Sequence, residues 1–91
     1  MIKKDNQPIC RINEYGDKFY RLNNILHRED GPAYESSEGS KRWYLNGLLH
    51  REDGPAVEYS WGIKYWYYHG EKIDVSSQEE FKRLIKLKTL W

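Results

Sequence analysis

An eight-residue string, LHREDGPA, stands at residues 26–33 of this 91-residue chain and recurs letter for letter at residues 49–56. The same spacing of 23 residues relates Gly16, Gly39 and Gly62, then Lys18, Lys41 and Lys64, and then Tyr20, Trp43 and Trp66. Periods of roughly 20 to 50 residues are typical of proteins that stack one small supersecondary unit. We therefore expect an array of one such unit.

The length and composition limit what the array can be. At 91 residues the chain is the size of one domain, residues 1–91, whose core supplies little net stability. Aromatic residues make up 15% of the chain and are the expected core material. A formal net charge of +1 gives no overall field to attract a polyanion or an anionic membrane.

Cysteine usage and apolar runs bear on location. Cys10 is the single cysteine, which excludes an internal disulfide and fits a reducing compartment. We expect Cys10 to be a small buried apolar residue. The sequence has no apolar run of signal-peptide or transmembrane length, so the predicted location is the cytoplasm, that of the host cell if a phage encodes the protein.

Each repeat contains two short segments rich in aromatic and branched residues, separated by turn residues, which is the signal for β-hairpins. We predict a mainly β fold, a single antiparallel sheet of about six strands built from stacked 23-residue hairpins over residues 8–70. The glycines at 16, 39 and 62 close the hairpins, and the longer connections 23–32 and 46–55 join one hairpin to the next. The predicted strands are 9–13, 18–22, 33–36, 41–45, 56–59 and 64–68.

Alternation along the first strand of each unit separates two faces, because neighbouring side chains of a strand point in opposite directions. One face is apolar or aromatic in every unit and is the predicted core: Tyr20, Leu22, Trp43, Leu45, Trp66 and Tyr68. On the other face charge and aromaticity vary between units: Phe19, Arg21, Arg42, Tyr44, Tyr65 and Tyr67. We call this second side of the sheet the Arg/Tyr face and predict that it is the binding surface.

After residue 74 the apolar period changes from 2 to 3.6, which predicts a helix over residues 76–91. Ser76 or Ser77 can cap its start, with Glu79 or Glu80 completing a capping box. An apolar stripe follows, made of Phe81, Leu84, Ile85 and Leu87. The helix is long enough to cover much of one sheet face, including the Arg/Tyr face, or to close the open end of the array.

The motif WYLNG at residues 43–47, followed by LHREDGPA at 49–56, resembles the MORN repeat. It is most similar to the MORN-like variant found in uncharacterised proteins of bacteriophages and giant viruses, and the resemblance covers about residues 8–70. This resemblance implies a single-layer sheet of stacked hairpins used for protein contacts and self-association. A phage origin would further imply a small accessory protein that acts on a host component.

The repeated loops suggest chemistry, since His27, Asp30, His50 and Asp53 recur with a His-x-x-Asp spacing that suits a divalent metal. The two histidines would lie two strands apart, ~9.6 Å, too far to share an ion without other ligands. No nucleophile stands beside a base held by a third group. We predict no metal, no cofactor and no catalytic residue.

The loop residues are therefore interpreted as structural joints between hairpins. We expect the aspartates to cap the turn backbone and Arg28 or Arg51 to bridge to a carboxylate of a neighbouring unit. The predicted joint residues are His27, Arg28, Asp30, Gly31, Pro32, His50, Arg51, Asp53, Gly54 and Pro55.

The predicted function is that of a non-catalytic module whose Arg/Tyr face binds and blocks a defence-related host protein, because Tyr and Arg are enriched in interface hot spots. The chain is also expected to self-associate through an edge strand. An oligomer that sequesters a nucleotide messenger is the alternative, since arginine beside aromatic rings can hold a phosphate and a base. A surface adaptor for nucleic acid or membrane is a further alternative, which the net charge disfavours.

Overall fold

The computed structural model describes residues 7–88, which form a thin plate with extents of 41 × 37 × 16 Å. The predicted mainly β architecture, with an antiparallel sheet and one C-terminal helix, is confirmed. The last three residues of the predicted helix, 89–91, lie outside the described residues. The strands are β1 (Ile9–Ile12), β2 (Lys18–Leu22), β3 (Ile25–Leu26), β4 (Tyr34–Glu35), β5 (Lys41–Arg42), β6 (Tyr44–Leu45), β7 (Leu48–Leu49), β8 (Val57–Glu58), β9 (Lys64–Tyr68) and β10 (Glu71–Ile73), and the helix is α1 (Gln78–Lys88).

Each repeat begins with a strand that immediately turns back on itself. In the second repeat β5 and β6 are separated by a single residue, Trp43. The N–H of Trp43 donates to the carbonyl of Ala56 at 2.8 Å, so the chain keeps its pairing with the main sheet at this point. The chain reverses at Asn46 and Gly47, whose φ angles are 51° and 82°, and returns as β7. Two successive positive φ angles mark the type I′ turn, whose twist matches that of a hairpin.

The prediction of about six strands in a single sheet is wrong. The six predicted strands are present: 18–22 and 64–68 have the predicted bounds, 9–13, 33–36 and 56–59 are shortened, and 41–45 is divided into β5 and β6. The predicted long connections contain two further strands, β3 and β7, and β10 follows the last predicted strand, because two-residue turns at 23–24, 46–47 and 69–70 close extra hairpins. Eight strands form the main sheet, in the order β1-β2-β4-β5-β8-β9-β10 with β3 beside β2, and β6 and β7 form a second, two-stranded sheet.

The two LHREDGPA strings interrupt the return path of each repeat, between β3 and β4 and between β7 and β8. We call residues 27–33 and 50–56 the repeat loops. Both loops fold over the side of the sheet that carries Tyr20 and Trp43, since Arg28 lies 3.9 Å over the Tyr20 ring and Arg51 lies 3.7 Å over the Trp43 ring. We call this side the loop face.

The arginine of each repeat loop is held by acceptors of its own repeat. Nε of Arg51 donates to Asp53 at 2.9 Å, and Nη1 donates to the carbonyl of Pro55 and to Glu58, both at 3.1 Å. Arg28 makes the matching bonds to Asp30 and Pro32. The expected bridge to a neighbouring unit is therefore wrong, because the loop folds back and supplies its own acceptors. The aspartates accept from the arginine side chains and do not cap the turn backbone.

The histidines of the repeat loops provide a side-chain contact between successive repeats, in addition to backbone hydrogen bonds such as that from Gly47 N–H to the Leu26 carbonyl. Nδ1 of His27 accepts the backbone N–H of Asn46 at 2.9 Å, and Nδ1 of His50 accepts that of His69 at 2.8 Å. Both histidines are buried. Each one thus fixes the type I′ turn of the following repeat.

The helix closes the end of the array on the loop face. Phe81 is fully buried against Trp66 and Ile73, and the Trp66 indole N–H donates to Gln78 at 2.7 Å. The helix begins after Ser77, whose Oγ accepts the N–H of Glu80, in agreement with the predicted cap. Only part of the predicted stripe is covered, since Leu84 and Leu87 are exposed. No helix within residues 7–88 is long and apolar enough to cross a membrane.

Candidate binding surface

A line of ring and cation contacts runs across the Arg/Tyr face, starting at β2. The Arg21 guanidinium lies 5.1 Å from the centre of the Phe19 ring, which is itself 5.1 Å from the centre of the Tyr34 ring. Arg42 lies over two rings, 5.2 Å from Tyr34 and 5.9 Å from Tyr59. Cations at such distances are attracted to the negative faces of aromatic rings.

The same line continues to β10. The Tyr59 ring meets Tyr65 edge-on at 6.2 Å, and Nζ of Lys72 lies 4.3 Å over the Tyr65 ring. Trp61 stacks on Tyr59 at 4.6 Å with an interplanar angle of 14°. We call the whole set the cation–aromatic ladder: Phe19, Arg21, Tyr34, Arg42, Tyr59, Trp61, Tyr65 and Lys72.

The register of the sheet assembles the ladder. Tyr34 is the cross-strand partner of both Phe19 and Arg42, and Val57 is the partner of both Arg42 and Tyr65. Directly opposed residues share a face and lie close enough for their side chains to interact. Cross-strand pairing therefore aligns one residue from each of five neighbouring strands: Phe19, Tyr34, Arg42, Val57 and Tyr65. Val57 is buried among the other four.

Of the six residues predicted for the binding surface, four belong to the ladder: Phe19, Arg21, Arg42 and Tyr65. The other two, Tyr44 and Tyr67, are opposed to Leu49 and Lys72 in the sheet and lie further along their strands. They make no ring or cation contact with other described residues. The structure thus places all six on one face, and four of them take part in the ring and cation contacts that define the ladder.

Four ladder residues are absent from the prediction: Tyr34, Tyr59, Trp61 and Lys72. Tyr34 and Tyr59 belong to the predicted strands 33–36 and 56–59, and Trp61 lies in the turn that follows the second of these. The sequence prediction does not divide these residues between the two faces. The signal is present in the sequence, because counting outwards from the turn at Gly39 places Tyr34 opposite Arg42. Lys72 comes from β10, which follows one of the unpredicted turns.

The Arg/Tyr face is uncovered in the part of the chain that the structure describes. Both repeat loops and α1 lie on the loop face. The tyrosine rings and Arg42 are half-buried by their neighbours in the ladder, whereas Arg21 and Lys72 are exposed. Trp61 is 65% exposed, so one face of its indole is open to a partner.

Arg42 is the most enclosed cation of the ladder. Burial lowers the pKa of its guanidinium, but the neighbouring hydroxyls of Tyr59, Tyr44 and Tyr34 raise it, and the net direction is upward. Arg42 therefore keeps its charge at any physiological pH. A fixed cation between two tyrosine rings is suited to bind a carboxylate or phosphate group by its outer edge.

The repeat loops offer a second concave surface, an open groove of about 810 Å³ between the first loop and the second. Its arginines are already bound within their loops, while the carboxylates of Asp30 and Asp53 are each 88% exposed. Burial, followed by the neighbouring His69, lowers the pKa of His50, which remains neutral at pH 7. Within residues 7–88 no group of three or more His, Cys, Asp or Glu side chains is arranged to hold a metal ion.

Cys10 differs from its expected environment. It is exposed on β1, which forms the edge of the main sheet, because only β2 pairs with that strand among the described residues. Cys10 is the cross-strand partner of Tyr20, and a hydrogen bond with it is the main cause that raises the pKa of Tyr20. The residue is therefore accessible, and the prediction of a buried apolar cysteine is wrong.

No family model, no curated protein and no solved structure matches this chain. The resemblance to MORN-like repeats thus remains a prediction that depends on the motif at residues 43–56.

Proposed function

We propose that the protein is a non-catalytic binding module that engages a partner protein through the Arg/Tyr face. The observation that carries this proposal is the cation–aromatic ladder, which crosses a sheet face left open while the repeat loops and α1 pack on the opposite one. Tyr, Trp and Arg dominate the energetics of protein interfaces. Because the ladder residues already pack on one another, little side-chain entropy is lost when a partner binds.

The expected partner is a protein of the host cell, as the resemblance to phage MORN-like proteins implies. Binding is expected to act by occupying a surface of that protein. The repeat scaffold supports this role, since the loops and turns that recur in each unit hold the sheet while the residues of the open face differ from unit to unit.

Affinity purification from a lysate of the natural host tests the proposal. The wild-type chain is compared with the variant Arg42→Ala/Tyr44→Ala and with the control Lys41→Ala/Lys64→Ala, whose substitutions lie on the loop face of the sheet. The partner is expected to be recovered by the wild type and the control but not by Arg42→Ala/Tyr44→Ala. That protein is then purified, and its affinity for each of the three chains is measured by titration. Equal recovery with all three chains would exclude the Arg/Tyr face as the binding surface.

A nucleotide ligand is the second candidate, favoured by the position of Arg42 between the rings of Tyr34 and Tyr59. Arginine and tyrosine could then hold the phosphate and the base. A ligand present at 100 times its Kd should stabilise the fold by about 2.7 kcal/mol. If no nucleotide stabilises the fold in a thermal-shift screen, the nucleotide ligand is rejected. Binding of a partner protein then remains as the proposed function.

A further inference from the structure

The two faces of the sheet differ in charge. The strand residues on the Arg/Tyr face include four cations and no carboxylate: Arg11, Arg21, Arg42 and Lys72. On the loop face the strands carry three lysines and three glutamates, Lys18, Lys41, Lys64, Glu35, Glu58 and Glu71, most of them paired in a row of alternating sign. The strands of the Arg/Tyr face are therefore basic although the chain has a net charge of +1, while Asp17 and Glu38 of the hairpin turns border this face beside Tyr34.

One end of the basic face contains a small hollow. Its walls are Ile9, Arg11, Arg21, Asn23 and Asn24, and its volume is about 310 Å³. Arg11 and Arg21 are both exposed, and neither forms an ion pair within residues 7–88. The walls thus present two guanidinium groups and two side-chain amides without any carboxylate to neutralise them.

The ladder also determines which anion fits. Arg21 lies over Phe19, Arg42 over Tyr34 and Tyr59, and Lys72 over Tyr65. The ring faces that these cations cover are not available to stack on nucleobases, which is how single-stranded nucleic acids gain much of their affinity, and among the described residues Trp61 is the ladder ring without a cation over it. The cations themselves remain to bind an anion, and guanidinium groups bind the carboxylates of a peptide in bidentate geometry.

We infer that the Arg/Tyr face binds a carboxylate-rich, extended segment of the partner protein, with Arg11 and Arg21 holding one carboxylate in the hollow and Arg42 and Lys72 holding others along the ladder. This inference rests on the proposed function and names the chemistry of the partner. Successive strands of the sheet lie ~4.8 Å apart and successive same-face residues of an extended peptide ~6.8 Å apart. A peptide laid across the strands can therefore bring several acidic side chains to the cations at once.

Fluorescence anisotropy with a labelled decaglutamate peptide tests the inference on the full chain at low salt. Decaglutamate is expected to bind, and the affinity is expected to fall as salt is added. Arg21→Gln should weaken binding about tenfold, the loss of one charge-assisted contact. Lys18→Gln is the matched control, since it removes the same charge from an exposed position on the loop face of β2 and should leave the affinity unchanged.

Three outcomes would overturn the inference: no binding of decaglutamate, equal losses in Arg21→Gln and Lys18→Gln, or tighter binding of an oligothymidylate of the same length, which would indicate nucleic acid. A second copy of this chain is another possible source of carboxylates, through the exposed aspartates of its repeat loops. If the wild type sediments as a dimer and Arg21→Gln sediments as a monomer, the face is used for self-association. That result would overturn the inference that a partner protein supplies the carboxylates.

Failure of this inference is distinguishable from failure of the proposed function. If Arg42→Ala/Tyr44→Ala abolishes capture of a purified partner while decaglutamate does not bind, the face is an interface for a neutral surface and only the acidic segment is rejected. If that double variant captures the partner as well as the wild type does, the interface itself is elsewhere.

Discussion

The guanidinium of Arg51 lies 3.7 Å from the centre of the Trp43 ring and stands between that ring and Gly54. Few of the described residues are fully buried, because the sheet has only one layer. The contact between Arg51 and Trp43 therefore supplies much of the side-chain packing of the second repeat. Arg28 repeats the arrangement on Tyr20 at 3.9 Å. In the last repeat, residues of α1 take over this position against Trp66.

Removing Arg51 is expected to destabilise the fold strongly. Arg51→Ala loses the contact with Trp43 and leaves the Pro55 carbonyl without its donor, and we expect a loss of about 2 to 3 kcal/mol. Arg51→Lys should recover less than half of this, since an ammonium group cannot reproduce the planar fork. Urea unfolding followed by tryptophan fluorescence measures the change. Arg83→Ala, an exposed position on α1, is the control and should stay within about 0.5 kcal/mol of the wild type.

Gly54 is required by the arginine beside it. A Cβ at this position would lie 2.6 Å from Cζ of Arg51, so Gly54→Ala should displace the guanidinium from Trp43 and destabilise the fold by about 1 to 3 kcal/mol. The same substitution in an Arg51→Ala background should have a much smaller effect, because the clashing group is gone. A double-mutant cycle in urea checks this coupling. Additive effects of the two substitutions would show that Gly54 is needed for another reason.

The contact between repeats should respond to pH. His50 must be unprotonated at Nδ1 to accept the N–H of His69, and burial followed by the charge of His69 lowers its pKa below the usual value near ~6.5. Since the unfolded state then binds the proton more readily, the contribution to stability is present above the unfolded pKa and is lost as the pH falls below about 6.5. Urea midpoints measured from neutral to mildly acidic pH should show this decrease.

His69→Asn is the matched variant for the pH experiment. It places at this turn the residue that the second repeat has at Asn46, whose N–H is accepted by His27. Removal of the neighbouring imidazole, whose electrostatic effect lowers the pKa of His50, should raise that pKa towards its usual value, as seen in NMR titration of the His50 ring. A His50 titration that is identical in the wild type and in His69→Asn would show that the stacked ring, 4.1 Å away, has no electrostatic effect.

The helix should act as a cap that stabilises the last repeat. Phe81→Ala removes the largest fully buried side chain and is expected to cost about 3 to 4 kcal/mol, a large part of the stability of so small a domain. Leu87→Ala is the control, since that side chain is 51% exposed. Circular dichroism during urea titration compares the two. Similar midpoints for both variants would show that α1 does not contribute to the stability of the sheet.

Much of the fold follows from local pattern. The 23-residue period, the hairpin glycines and the capped amphipathic helix are all encoded by nearby residues, and each of these features lies where the sequence predicts it. The predicted strand count is wrong because it treats Asn46-Gly47 as part of a loop, although Asn-Gly is a strong hairpin signal. Asn23-Asn24 and His69-Gly70 adopt the same turn but are weaker sequence signals for it. They are recognised by their alignment with Asn46-Gly47 in the 23-residue repeat.

The sequence by itself determined which residues share a face, since alternation along a strand is a local property of the backbone. Alternation alone places Phe19, Arg21, Arg42, Tyr44, Tyr65 and Tyr67 on one side of the sheet. Tertiary structure decided what covers each face, which residues touch across strands and which groups the loop arginines bind. These depend on register and on where the chain returns, so residues as distant in sequence as Trp66 and Gln78, or Arg42 and Tyr59, become neighbours only when the sheet is assembled.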